Sequence, residues 1–99
     1  MTTYKKAEEN KDGTLYSGQV IPWANGVVFK CPCVERDVYV ASPPHEISFD
    51  NEGRLTLDGS VGSREDKSRN RATNWCHFWI KNGIAKIAED SQCPGKQRG

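Results

Sequence analysis

Four cysteines and two histidines carry most of the chemistry open to this chain. Cys31 and Cys33 bracket Pro32, Cys76 is followed at once by His77, and Cys93 and His45 stand apart. Soft ligands gathered in two short clusters suit a tetrahedral zinc ion, bound by thiolate sulfurs at roughly 2.3 Å and imidazole nitrogens at roughly 2.0–2.1 Å. Cys31, Cys33, Cys76 and His77 form the expected ligand set, with Cys93 or His45 as the alternative fourth ligand. Pro32 would stiffen the turn between the first two. Neighbours on a regular strand point to opposite faces, so Cys76 and His77 reach one metal only where the chain is not yet extended. Two other readings of these residues stay open. They are buried free thiols beside unrelated histidines, or two disulfides formed in an oxidising compartment.

Catalysis finds little support in this pattern. A zinc ion with all four positions filled by protein has none left for a substrate. The chain has no His-Glu-x-x-His run and no deaminase-like His-x-Glu with Cys-x-x-Cys. A cysteine nucleophile needs a histidine base beside it, and the Cys76 and His77 side chains would diverge on a strand. The expectation is therefore a structural zinc and no enzyme.

The elements that must position these residues are short and β-like. Apolar and polar residues roughly alternate over Thr14–Val20, and Val27-Val28-Phe29 leads into Cys31. Asn25-Gly26 reads as a turn between them. Asp37–Ala41 follows and is closed by Ser42-Pro43-Pro44. Ile47–Phe49 and Arg54–Leu57 flank a four-residue loop, which predicts a hairpin. Trp75–Ile80 and Ile84–Ile87 flank Lys81-Asn82-Gly83, and Asn-Gly supplies the positive φ values that a tight hairpin turn demands. Six to seven strands about ten residues apart, with no strong helix, predict an all-β fold: a small antiparallel sandwich or partly open barrel. Residues 13–88 make up this domain, flanked by a polar arm (1–12) and a flexible tail (89–99).

Size and charge bound the rest. A chain of 99 residues that is 35% hydrophobic builds a thin core, which a bound metal would reinforce with its own folding energy. Three Trp, three Tyr and three Phe are too many for a disordered chain. No window is long and apolar enough for a transmembrane helix. The polar start lacks a signal-peptide core, so a cytoplasmic protein is expected. The net charge of +1 argues against a strong bulk pull on nucleic acid or membrane. That balance hides an asymmetry, because residues 1–50 hold five basic and seven acidic side chains and residues 51–99 hold nine and six. Residues 62–74 read as a long polar loop, and Arg64, Lys67, Arg69 and Arg71 within it form a candidate partner surface. Trp23 at a turn and Trp79 beside His77 are the aromatic candidates for such a surface.

Three stretches resemble one family. They are Gly13-Thr14-Leu15-Tyr16 through Val28–Cys33, then Leu57–Gly62, then Cys76–Ala85. The chain is similar over roughly residues 13–88 to small uncharacterised proteins of phages and of bacterial mobile and defence-like gene clusters. Their pattern has a Cys-x-Cys turn, a Pro-Ser-Ile-Gly-like segment and a Cys-x-x-His-[Phe/Tyr]-Trp-Ile run. Here Val34-Glu35-Arg36 replaces a Gly and a third Cys, Gly59 replaces the Pro, and Cys76 and His77 are adjacent. The resemblance implies zinc on Cys31, Cys33, Cys76 and His77. Together with the small size and the lack of a catalytic motif, it suggests a phage or mobile-element protein that binds and inhibits a host protein, such as an antiviral defence component. The second reading is a small zinc-dependent nucleic-acid binder using residues 64–71.

Overall fold

A computed structural model describes residues 2–32, 36–64 and 75–91. Its strands are β1 (Lys5–Lys6), β2 (Gln19–Trp23), β3 (Gly26–Lys30), β4 (Asp37–Ala41), β5 (Glu46–Phe49), β6 (Leu55–Asp58), β7 (Val61–Arg64), β8 (Trp75–Lys81) and β9 (Ile84–Ile87). They form three sheets, ordered β1-β2-β3-β4, β5-β6 and β7-β8-β9. Every pairing is antiparallel except β1 with β2. The fold is all-β, as the patterning predicts, and the sheets do not close into a barrel. Among the described residues no helix is long and apolar enough to cross a membrane.

Strand alternation builds the core. On β3, Val27 and Phe29 point inward and pair with Val40 and Val38 of β4. Leu55 and Leu57 of β6, Val61 of β7, and Cys76, Phe78 and Ile80 of β8 complete the same cluster. Phe29 is edge-on to Phe78, at 6.1 Å between ring centroids, and to Tyr4, at 5.6 Å. Offset or edge-on rings satisfy the aromatic quadrupole while they fill volume.

Two turns show what glycine does here. Asn82 and Gly83 both adopt positive φ, 51° and 81°, so the β8–β9 turn follows the sequence prediction. The β2–β3 turn does not. Trp23 pairs with Gly26, so the turn residues are Ala24 and Asn25, and Ala24 takes the positive φ. Gly26 instead belongs to β3, where the backbone of Val40 occupies the space a Cβ would need.

Two strands come from polar stretches that apolar alternation does not mark. β7 occupies the start of the expected 62–74 loop, so Arg64 stands in a strand, paired with Trp75. Residues 65–74, with Lys67, Arg69 and Arg71, lie outside the described residues. The N-terminal arm enters the fold through β1. Tyr4 is 2% exposed, and its backbone bonds Gly83 and Leu55.

Tyr4 also supplies a pH-dependent test. Its hydroxyl donates to the Lys30 carbonyl at 3.1 Å. Burial pushes its pKa up to about 12, and the neighbouring Cys31 sulfur adds to the shift. The folded state thus holds this proton more tightly than the unfolded chain does. The resulting stability is intact below about pH 10 and is lost as pH rises toward about 12. Tyr4→Phe should cost about 1 kcal/mol at neutral pH and flatten the alkaline decline. Urea melts of both proteins at neutral and alkaline pH read the two effects.

Candidate active site

β8 sorts its side chains by alternation. Cys76, Phe78 and Ile80 are fully buried, while Trp79 is 40% exposed on the opposite face. His77 shares the face of Trp79, its ring 5.4 Å away and tilted 38°. β8 is the central strand of its sheet, so both flanks of His77 are occupied. On one side Gly62 of β7 is its register partner. On the other, the Ala88 N–H donates to the His77 carbonyl at 2.8 Å.

The turn after β9 then delivers a carboxylate. The Ser91 N–H donates to the Ala88 carbonyl at 3.1 Å, and the Ser91 hydroxyl oxygen accepts from the His77 N–H at 3.2 Å. Ser91 is 2% exposed, so the turn is anchored from below. Asp90, beside it, places Oδ1 2.7 Å from His77 Nδ1. An ionised carboxylate only accepts, so Nδ1 carries the proton in this contact.

A serine lies on the other flank. Ser60 immediately precedes β7. Val61 points into the core, so alternation turns Ser60 to the face that carries His77 and Trp79. Continued by one residue, the β7–β8 register sets Ser60 opposite Trp79 and diagonal to His77. The His77 ring leans toward Trp79, the strand level at which Ser60 stands. Gly59, at φ 97°, takes a conformation that side chains rarely adopt and so aims the segment. The Ser60 carbonyl lies 2.9 Å from His45 Nε2. A carbonyl only accepts, so His45 is protonated at Nε2 and fixes the Ser60 backbone. Across the sheet the order is Asp90, His77, Ser60, which is the order of a carboxylate, a base and a nucleophile.

The expected zinc ligands are described only in part. Cys76 and His77 point to opposite faces because β8 is already extended at Cys76. Cys76 is disulfide-bonded, and Cys31 is buried. His45 is committed to Ser60. Cys33 and Cys93 lie outside the described residues. Among the described residues no group of three or more His, Cys, Asp or Glu could hold a metal. Trp23 is 64% exposed and packs edge-on against Tyr39, on the outer face of β2-β3-β4 and away from His77.

Sequence reasoning missed Ser60 and Asp90. A signal was present in the Gly59-Ser60-Val61-Gly62 segment, because glycines beside a serine let backbone approach a reacting group closely. Asp90 carried no signal, since it sits in a stretch expected to be a flexible tail.

No curated protein and no solved structure matches the chain. A family model described as "bacterial ubiquitination-like system serine protease (BubE)" matches residues 2–88. That description overturns the expectation of a non-enzymatic chain, which weighed metal and cysteine chemistry but not a serine nucleophile. With a match over most of its length, the chain belongs to the BubE family of bacterial ubiquitination-like system serine proteases.

Proposed function

We propose that this chain is a serine protease in which Ser60 is the nucleophile, His77 the general base and Asp90 the group that orients His77. The observation that carries this reading is the 2.7 Å contact between Asp90 and His77 Nδ1, on the sheet face that Ser60 shares. Ser60 Oγ attacks the scissile carbonyl and its proton passes to His77 Nε2. The imidazolium forms against the Asp90 carboxylate and then protonates the leaving amine. Water, deprotonated by the same nitrogen, releases the acyl group and restores Ser60. His45 serves as a positioning residue for Ser60.

The family description favours a protein substrate of a ubiquitination-like system, cleaved at a peptide or isopeptide bond. The partner protein expected from the sequence is then a substrate that is cut rather than a target that is blocked. A bacterial defence setting, expected from the resemblance, is compatible with such a system.

Turnover of an internally quenched peptide library tests the assignment of the nucleophile. Ser60→Ala should abolish cleavage, with a loss of at least about a thousandfold. Ser63→Ala, at the position paired with Cys76, should stay within about threefold of the parent. Retained activity in Ser60→Ala, with the fold intact, would refute the assignment.

A further inference from the structure

Two cavities meet on the outward face of β8 and β9. One, about 430 Å³, is walled by His77, Trp79, Lys86, Glu89 and Asp90. The other, about 710 Å³, lies between β6 and the β8–β9 hairpin and is walled by Asp58, Gly59, Trp79, Lys81, Ile84 and Lys86. Trp79 and Lys86 line both. The shared walls join the His77–Asp90 pair to Gly59, the residue before Ser60.

The register makes this floor a checkerboard. Trp79 pairs with Lys86, and Lys81 pairs with Ile84. Residues directly opposite on adjacent strands stand about 4.5–5.5 Å apart on one face, so each ammonium lies across from an apolar side chain. Trp79 and Ile84 are each 40% exposed, which is a large apolar pair to leave in water. In the larger cavity Lys81 and Lys86 outnumber the single carboxylate of Asp58, whereas Glu89 and Asp90 line the smaller one, so the positive end of the trough is the one beside Ile84.

We propose that this trough is a substrate subsite of the protease, taking a large apolar side chain against Trp79 and Ile84 and an adjacent acidic residue on Lys81 and Lys86. The proposal rests on the protease reading, because it is the joining of the trough to His77 that makes its occupant a substrate. The occupant is a peptide segment of the protein to be cut, in which an aliphatic or aromatic residue sits beside Asp or Glu. The apolar contact supplies affinity, and the charge pair selects against basic sequences.

Binding and turnover test the two ideas separately. Fluorescein-labelled decapeptides with Leu-Glu, Leu-Lys or Ala-Glu at the centre are titrated into the Ser60→Ala chain by anisotropy. The Leu-Glu peptide should bind about tenfold more tightly than either other peptide. Lys81→Glu combined with Lys86→Glu should reverse the preference between Leu-Glu and Leu-Lys. Trp79→Ala should weaken Leu-Glu about tenfold, and Trp79→Phe should restore most of it. Equal affinities, or a preference unmoved by the lysine and Trp79 changes, would overturn the subsite. Cleavage of these peptides by the wild-type chain that persists in Ser60→Ala would instead overturn the protease reading, whatever the binding shows.

Discussion

His77→Ala should lower kcat by about a thousandfold or more and leave KM within about threefold. The imidazole acts on a proton that moves in the transition state, so its loss is felt there and not in ground-state binding. Asp90→Asn should give an intermediate loss, of about a hundred- to ten-thousandfold. The amide keeps the shape of the carboxylate. It cannot stabilise an imidazolium, and its NH₂ can donate to Nδ1 and so favour the wrong tautomer. Asp90 is exposed and its 2.7 Å bond to His77 is open to solvent, so water replaces part of its role and the smaller end of that range is expected. Progress curves on one quenched peptide, with the far-ultraviolet spectrum of each variant as a check on folding, read these effects. A His77→Ala chain that cleaves at the parent rate would remove the base from the account.

Phe78→Ala should destabilise the chain by about 3–5 kcal/mol. Phe78 is fully buried and edge-on to Phe29, and it stands between His77 and Trp79 on the other side of the same strand. Truncation opens a cavity where β8 meets β3. Small domains are typically stable by about 5–15 kcal/mol, so much of that margin would go. Phe78→Leu fills more of the space and should cost less. Urea melts of the three proteins test the ordering. Equal midpoints for wild type and Phe78→Ala would mean that the Phe29–Phe78 contact is not the centre of the core. Loss of activity in Phe78→Ala should track the unfolded fraction, whereas loss in His77→Ala should occur in a folded chain.

The fold was readable where side-chain type and turn chemistry agree. Asn82-Gly83 and the Asp50–Gly53 loop marked their hairpins, and the β-branched and aromatic run Val27-Val28-Phe29 marked β3. β1 and β7 were not readable, because Lys5-Lys6 and Gly62-Ser63-Arg64 carry no apolar alternation. Backbone pairing with neighbours places them, and that is a tertiary effect. The Asn25-Gly26 turn was misplaced by one residue because Gly26 answers the close approach of Val40, not a turn.

The site was half readable. His77 was singled out, and the divergence of neighbours on a strand already weighed against its sharing a metal with Cys76. The same alternation places His77 beside Trp79 and over Gly62, facing away from the core. Its partners could not be read in this way. Asp90 reaches Nδ1 because Ser91 and Ala88 fold the chain back onto β8. Ser60 is one of seven serines, distinguished only by its place before β7 and its tie to His45. Both depend on chain reversals that local composition does not encode.

The central claim is that a serine of this chain is made nucleophilic by His77. The most direct measurement is the site of covalent labelling by a fluorophosphonate, which reacts with activated serines. Peptide mapping by mass spectrometry should place a single adduct on Ser60. Labelling should fall at least about tenfold in His77→Ala, because the base that activates the hydroxyl is gone. An adduct on another serine, or labelling of Ser60 that does not depend on His77, would contradict the account.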